Sequence, residues 1–143
     1  MIRQAVRADL PAVYQLICAL EKTAFPEKQF EREFHIMMAD LDHMILVAET
    51  ESRVVGVLHL RMEFQLHHCG KVAEILELVV NAEYRSHGIG KQLLTAAETV
   101  AKKNHCQILE VCSNQNRKRA HEFYQQEEMK NTHFKLMKPI AQE

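Results

Sequence analysis

The chain has 143 residues, 47% hydrophobic and 26% charged, with 18 lysines and arginines against 19 aspartates and glutamates. That is the length and balance of one folded domain over residues 1–143, built around a single core. A formal net charge of −1 lacks the basic excess of a nucleic-acid-binding surface. No apolar run approaches the roughly 18–20 residues of a membrane span, so neither nucleic acid nor membrane is an expected partner.

The opening stretch, Met1 to Ile17, lacks the apolar core and small-residue cleavage site of a secretory signal. Cys18, Cys69, Cys106 and Cys112 are scattered without Cys-x-x-Cys spacing. In a leaderless chain this pattern predicts reduced thiols and a cytoplasmic location. Glycine is scarce. Average usage near ~7% would give about ten; there are four, and two of them, Gly88 and Gly90, fall within three residues. Nine histidines are present, with His67 and His68 adjacent and His59 eight residues before His67.

Alternation over Ile2–Val6 predicts a short strand, and Asp9 with Pro11 predicts the capped start of a helix. Leu10, Val13, Leu16, Ile17 and Leu20 follow helical spacing. After Pro26 a second helix is expected from Glu27 to Met38, with Phe30, Phe34 and Met37 on one face. Met44–Glu49 and Val54–Phe64 read as strands joined by a turn at Glu51–Ser52. Leu66 to Gly70 reads as a loop, and Val72–Val80 as an apolar strand. A turn over Asn81–His87 leads to a long helix, Gly88 to Asn104, with Ile89, Leu93, Leu94, Ala97 and Val100 inward. Gln107–Cys112 reads as a strand, Arg117–Gln126 as a helix and Thr132–Met137 as a last strand. The order β-α-α-β-β-β-α-β-α-β predicts an α/β domain around one mixed sheet. The crossover from Val72–Val80 to Gln107–Cys112 should make those strands parallel, with a right-handed connection.

Arg85-Ser86-His87-Gly88-Ile89-Gly90-Lys91 joins an apolar strand to an amphipathic helix. Glycine lets backbone approach a ligand closely, and the unpaired amides and positive dipole end of a helix start suit phosphate. The third glycine of the dinucleotide fingerprint is missing, and no P-loop pattern matches. From these residues alone, a plain tight turn feeding a helix reads equally well.

The segment ELVVNAEYRSHGIGKQLL, followed one strand later by Ala120-x-x-x-Tyr124 on a helix, resembles the acyl-CoA motif of the GNAT N-acetyltransferases. The resemblance covers the whole strand order and implies their mixed central sheet flanked by helices. It implies acetyl-CoA as co-substrate, with the backbone of Leu78, Val79 and Val80 facing the pantetheine and acetyl group. It also implies that the amides of Arg85, Ser86, His87, Gly88, Ile89, Gly90 and Lys91 wrap the pyrophosphate.

Direct acyl transfer to an amine needs a base for the ammonium and an acid for the departing thiolate. Tyr124 stands where the family places its thiol-protonating tyrosine, and a phenol near pKa 10 suits that work. Glu74 and Glu77 are charged residues in an otherwise apolar strand, where charge is rarely buried without a reason. Three apart, they are expected on opposite faces, so both should not serve one substrate. Glu74 falls at the position of the family's general-base glutamate. Glu77 matches a glutamate of its small-molecule members and is the second candidate, or the partner of the substrate's ammonium. Either is otherwise a rim carboxylate paired with lysine. Three positions depart from the family: Arg117 stands where Asn is common, and Glu128-Met129 replaces Gly-Phe.

Within the family, FQLHHCGKVAEILELVV, AVYQLICALEKTAF and THFKLMKP resemble the bacterial aminoalkylphosphonate N-acetyltransferases along nearly the whole chain. This implies a small aminoalkylphosphonate as acceptor and a divalent metal dependence. His67 and His68 with Arg61, or Lys28 and Arg32 from the second helix, could supply positive charge for the phosphonate. His67 and His68 are the candidates for substrate contact and metal ligation, provided a loop brings both rings to one side; the alternative is a loop pair without a ligand. A second copy of the chain is the other partner considered. The competing functions are acetylation of another amine (polyamine, aminoglycoside or protein) and a catalytically silent acyl-CoA-binding regulatory domain. No long acidic patch is evident in the sequence to favour polyamines.

Overall fold

A computed structural model describes residues 1–142. Within the unit Met1–Val111, five strands form one sheet in the order β1 (Ile2–Gln4), β2 (His43–Thr50), β3 (Arg53–Gln65), β4 (Gly70–Val80), β5 (Cys106–Val111). The first three pairings are antiparallel and β4–β5 is parallel, as the crossover predicts. β2 and β3 are joined by Glu51 and Ser52, both at positive φ (51° and 62°). That is the two-residue turn whose twist matches a hairpin.

Helices α1 (Leu10–Glu21) and α2 (Glu27–Ala39) cover one face. Val13, Leu16 and Phe34 pack there with Ile45, Val47, Val57 and Val79. Helix α3 (Ile89–Lys103) takes the other face, burying Ile89, Leu93, Leu94, Ala97 and Ala101; Val100, expected inward, is only half-buried. A Cβ at Gly56 would lie 3.1 Å from Leu93 Cδ1, so this glycine lets α3 sit close on the sheet.

Asp9 does not cap α1. Its carboxylate accepts from Arg3 Nη1 and Nη2 at 2.8 and 3.0 Å and from the Val6 amide at 2.8 Å. The charge of Arg3 and the short 3-10 turn over Arg7–Asp9 draw the side chain back toward β1.

The second unit begins at Cys112 and contains α4 (Lys118–Gln126). The strand expected over Thr132–Met137 is not formed. Phe134, Leu136 and Met137 are exposed, and without a neighbouring ladder an alternating pattern alone does not make a strand. No cysteine among the described residues is joined in a disulfide.

Candidate active site

β4 does two jobs along its length. From Lys71 to Ile75 it pairs with β3 on one side and β5 on the other. The β5 ladder ends at Ile75↔Val111, while β4 runs on to Val80 beside β3 alone. Leu78, Val79 and Val80 thus lie on a stretch with one edge unpaired by any strand. Extended backbone with open amides and carbonyls is what an amide-containing chain such as pantetheine can pair with.

A bulge sits where the two regimes meet. His59 pairs with Glu77 and Leu60 with Ile75, so Leu76 is the extra residue. One extra residue reverses the alternation beyond it. Glu74 stands opposite Arg61 and Glu77 opposite His59; as Arg61 and His59 are two apart on β3, both carboxylates share a face. The expectation of opposite faces is therefore corrected: simple alternation holds only in an unbulged strand.

This face carries a polar band beyond the apolar patch under α1 and α2. His43 Nδ1 lies 2.8 Å from His59 Nε2, and His59 Nδ1 lies 2.8 Å from Glu77 Oε2. His59 is buried at 6% exposure. Burial, and then the neighbouring His59, hold the His43 imidazole below its ordinary pKa. Arg61 Nη2 donates to Glu74 Oε1 at 2.5 Å. Its Nε lies 3.1 Å from Glu63 Oε1, out of line for a hydrogen bond. Glu110 of β5 stands opposite Glu74, with His68 Nε2 3.8 Å from its Oε1. Glu63, Glu74, Glu77 and Glu110 therefore share one face with the guanidinium of Arg61 among them. The acidic patch not evident in the sequence is assembled by the sheet. His43, His59, Glu63 and Glu110 were not singled out as site residues; only cross-strand register reveals them.

At the far end of β4 the Asn81 amide donates to Val55 O at 2.7 Å, and Arg85 Nε donates to Val80 O at 3.2 Å. Ser86 (φ 66°) and Gly88 (φ 79°) are left-handed. Gly88 occupies the N-cap of α3 with no side-chain cap, and its carbonyl accepts from Gln92 at 3.0 Å. The amides of Ile89, Gly90 and Lys91 in the next turn have no intrahelical acceptor. Ser86, His87, Gly88 and Lys91 are exposed, in keeping with a cradle open to an anion.

His67 and His68 belong to a 3-10 turn, Leu66–His68, closed by left-handed Cys69. Their rings pack on each other at a centroid distance of 4.2 Å. Among the described residues no three His, Cys, Asp or Glu side chains are placed to hold a metal ion. The donor set does not fit the metal that the resemblance implies. Lys28 and Arg32 are exposed on α2.

In the second unit, Tyr124 lies on α4, its ring 5.3 Å from that of Phe123. Burial pushes its phenol up to about 12, against a smaller lowering by Arg117. His121 Nε2 is 2.8 Å from Asn114 O, tying α4 to the turn before it.

Residues 10–128 match the model of the acetyltransferase (GNAT) family. The chain belongs to that family, and it is an acyltransferase; acetyl-CoA is the co-substrate of GNAT enzymes. It is 36% identical over 139 residues, 97% of this chain and 90% of the relative, to the aminoalkylphosphonate N-acetyltransferase of Salmonella typhimurium. Its fold is similar to that of a transcriptional regulator from Bacillus halodurans C-125, with a TM-score of 0.90, 24% identity and coverage of 98% and 99% of the two chains. It is also similar to an aminoglycoside acetyltransferase from an uncultured soil metagenomic sample, with a TM-score of 0.82, 21% identity and coverage of 100% and 96%. Among the described residues no helix is long and apolar enough to cross a membrane.

Proposed function

We propose that this acyltransferase moves the acetyl group of acetyl-CoA to the amino group of a small aminoalkylphosphonate by direct attack. The observation that carries the chemistry is the bulge at Leu76, which turns Glu74, still paired with β5, and Glu77, just past the end of that pairing, to one face. The Salmonella relative, 36% identical, supports the acceptor class.

In this reading Glu77 holds the acceptor's ammonium and Glu74, through a water, takes its proton. The neutral amine attacks the thioester carbonyl carbon, the carbon–sulfur bond breaks, and the thiolate is protonated. One ammonium and one thioester give one amide, one thiol and one proton to solvent. A phenol at about 12 is a weaker acid than a thiol of ordinary pKa near 8.5. The resemblance assigns Tyr124 to the departing thiolate, and such a phenol acts there as a hydrogen-bond donor to the developing charge. The amides of Arg85 to Lys91 hold the pyrophosphate.

The carboxylate band sets the acceptor's orientation. It attracts the ammonium and repels a phosphonate dianion, so the phosphonate points away from the sheet, toward exposed cations such as Lys28 and Arg32 of α2. The same band favours a second reading, a polycationic acceptor such as an aminoglycoside or polyamine. CoA-thiol release over a panel of aminomethylphosphonate, 1-aminoethylphosphonate, a polyamine and an aminoglycoside, with and without chelator, tests the proposal. The highest kcat/KM is expected for the phosphonates. A preference for the polycations overturns the acceptor, and acetyl-CoA binding without turnover of any amine points to a silent regulatory domain.

A further inference from the structure

The line His43–His59–Glu77 crosses three strands, β2, β3 and β4, and no step above uses its two histidines. We propose that His59 is a positioning residue, oriented by His43, that fixes the Glu77 carboxylate for the acceptor's ammonium. This deepens the proposed reaction and rests on Glu77 as the ammonium's partner.

The direction of the hydrogen bonds follows from chemistry. An ionised carboxylate only accepts, so at 2.8 Å from Glu77 Oε2 the His59 Nδ1 carries the hydrogen. In a neutral imidazole the other nitrogen then accepts, so His59 Nε2 takes a hydrogen from His43 Nδ1 at 2.8 Å. Both rings are thereby set in the Nδ1–H tautomer, and every donor along the line points toward Glu77. The Glu77 side chain is 32% exposed and that of His59 8%, so a carboxylate reachable from outside is anchored from within. Oε2 is committed to His59, and Oε1 is the oxygen for an ammonium. The bulge is part of the device, because the His59↔Glu77 pairing is the rung immediately past Leu76. A carboxylate left to rotate would lose orientation each time it bound an amine; one fixed by a charge-assisted hydrogen bond does not.

Two measurements on the full chain test this. Histidine ¹⁵N NMR at pH 8, with His59 assigned by its loss in His59→Gln, should show the Nδ1–H tautomer, and Glu77→Leu, which removes the acceptor, should abolish that preference. In kinetics with the best amine of the panel, His59→Leu should raise the KM for the amine about tenfold, leaving that for acetyl-CoA within about twofold. His59→Gln, which keeps an N–H donor, should recover most of the loss, and His43→Leu should show a smaller loss of the same kind. An Nε2–H tautomer at His59 overturns the proposal. So does equal impairment by Leu and Gln, or a common rise in both KM values. Preference for a non-phosphonate amine would sink the proposed acceptor and leave this test standing. If no amine is acetylated, the tautomer and its response to Glu77→Leu decide the matter alone.

Discussion

Glu74 and Glu77 are three residues apart on one strand and face the same side of the sheet, because Leu76 is the extra residue of a bulge. Their partners differ: Glu74 is bonded to the guanidinium of Arg61 and Glu77 to the imidazole of His59. One carboxylate is held by a fixed guanidinium and the other by an imidazole.

That difference separates two substitutions. Glu74→Gln should lower kcat by about 10²–10³-fold, the scale of a lost general base, with little change in the KM for the amine. Its remaining rate should climb with pH as free amine becomes available without enzymic help. Glu77→Gln should mainly raise the KM for the amine, by about tenfold for one charge-assisted contact. Steady-state kinetics between pH 6 and 10 measure both; a reversed pattern would exchange the two roles.

Tyr124→Phe should reduce kcat by about 10–100-fold with acetyl-CoA binding nearly unchanged, since one donor to the leaving sulfur is lost. The sign of the pH effect follows from the raised phenol. With a pKa of about 12 the hydroxyl keeps its proton throughout the assay range. Wild-type kcat should therefore show no alkaline fall from this residue up to pH 10. Wild-type turnover in the Phe variant would remove Tyr124 from the reaction.

The anchoring of β1 predicts a pH-dependent stability. Arg3 beside Asp9, with the Val6 amide, holds the Asp9 carboxyl below its ordinary value despite burial. A depressed folded pKa contributes stability above the unfolded value near 3.9, lost as pH falls through the folded value. Asp9→Asn should cost about 2 kcal/mol at pH 7, and its Tm deficit should shrink below about pH 4. Thermal melts of both proteins across pH 3–7 check this; a deficit independent of pH would show that the charge is not the cause.

Most of the sheet and helices were legible because their patterns are local. The helical spacing of Leu10, Val13 and Leu16 and the apolar–polar alternation from Leu58 to Glu63 each state one periodicity and obey it, and Gly88 marks the start of α3. The bulge at Leu76 was not. EILELVV contains no glycine or proline to mark a break, and an apolar run buried on both sides looks the same with or without an extra residue. Because the bulge was hidden, so was the shared face of Glu74 and Glu77, and with it the rung through His59 and His43. Asp9 misled in another way: its capping pattern was sound locally, but Arg3, six residues back, offered a stronger partner. The tail shows the converse, since alternation from Thr132 to Met137 has no paired strand to realise it.

Gly88 gives a test that separates backbone strain from ligand contact. At φ 79° a Cβ would meet nothing within 4 Å, so Gly88→Ala suffers no clash and costs only the left-handed conformation, about 1 kcal/mol. A modest fall in Tm is expected from that alone. If the amides after Gly88 hold pyrophosphate, tilting this turn toward an ordinary φ should also raise the KM for acetyl-CoA by about tenfold, leaving the KM for the amine nearly unchanged. Lys91→Ala, at an exposed side chain in the first turn, should leave Tm almost unaltered and weaken acetyl-CoA binding in a salt-dependent way. Loss of stability in Gly88→Ala with unchanged acetyl-CoA binding in both variants would reduce this segment to a turn that starts a helix.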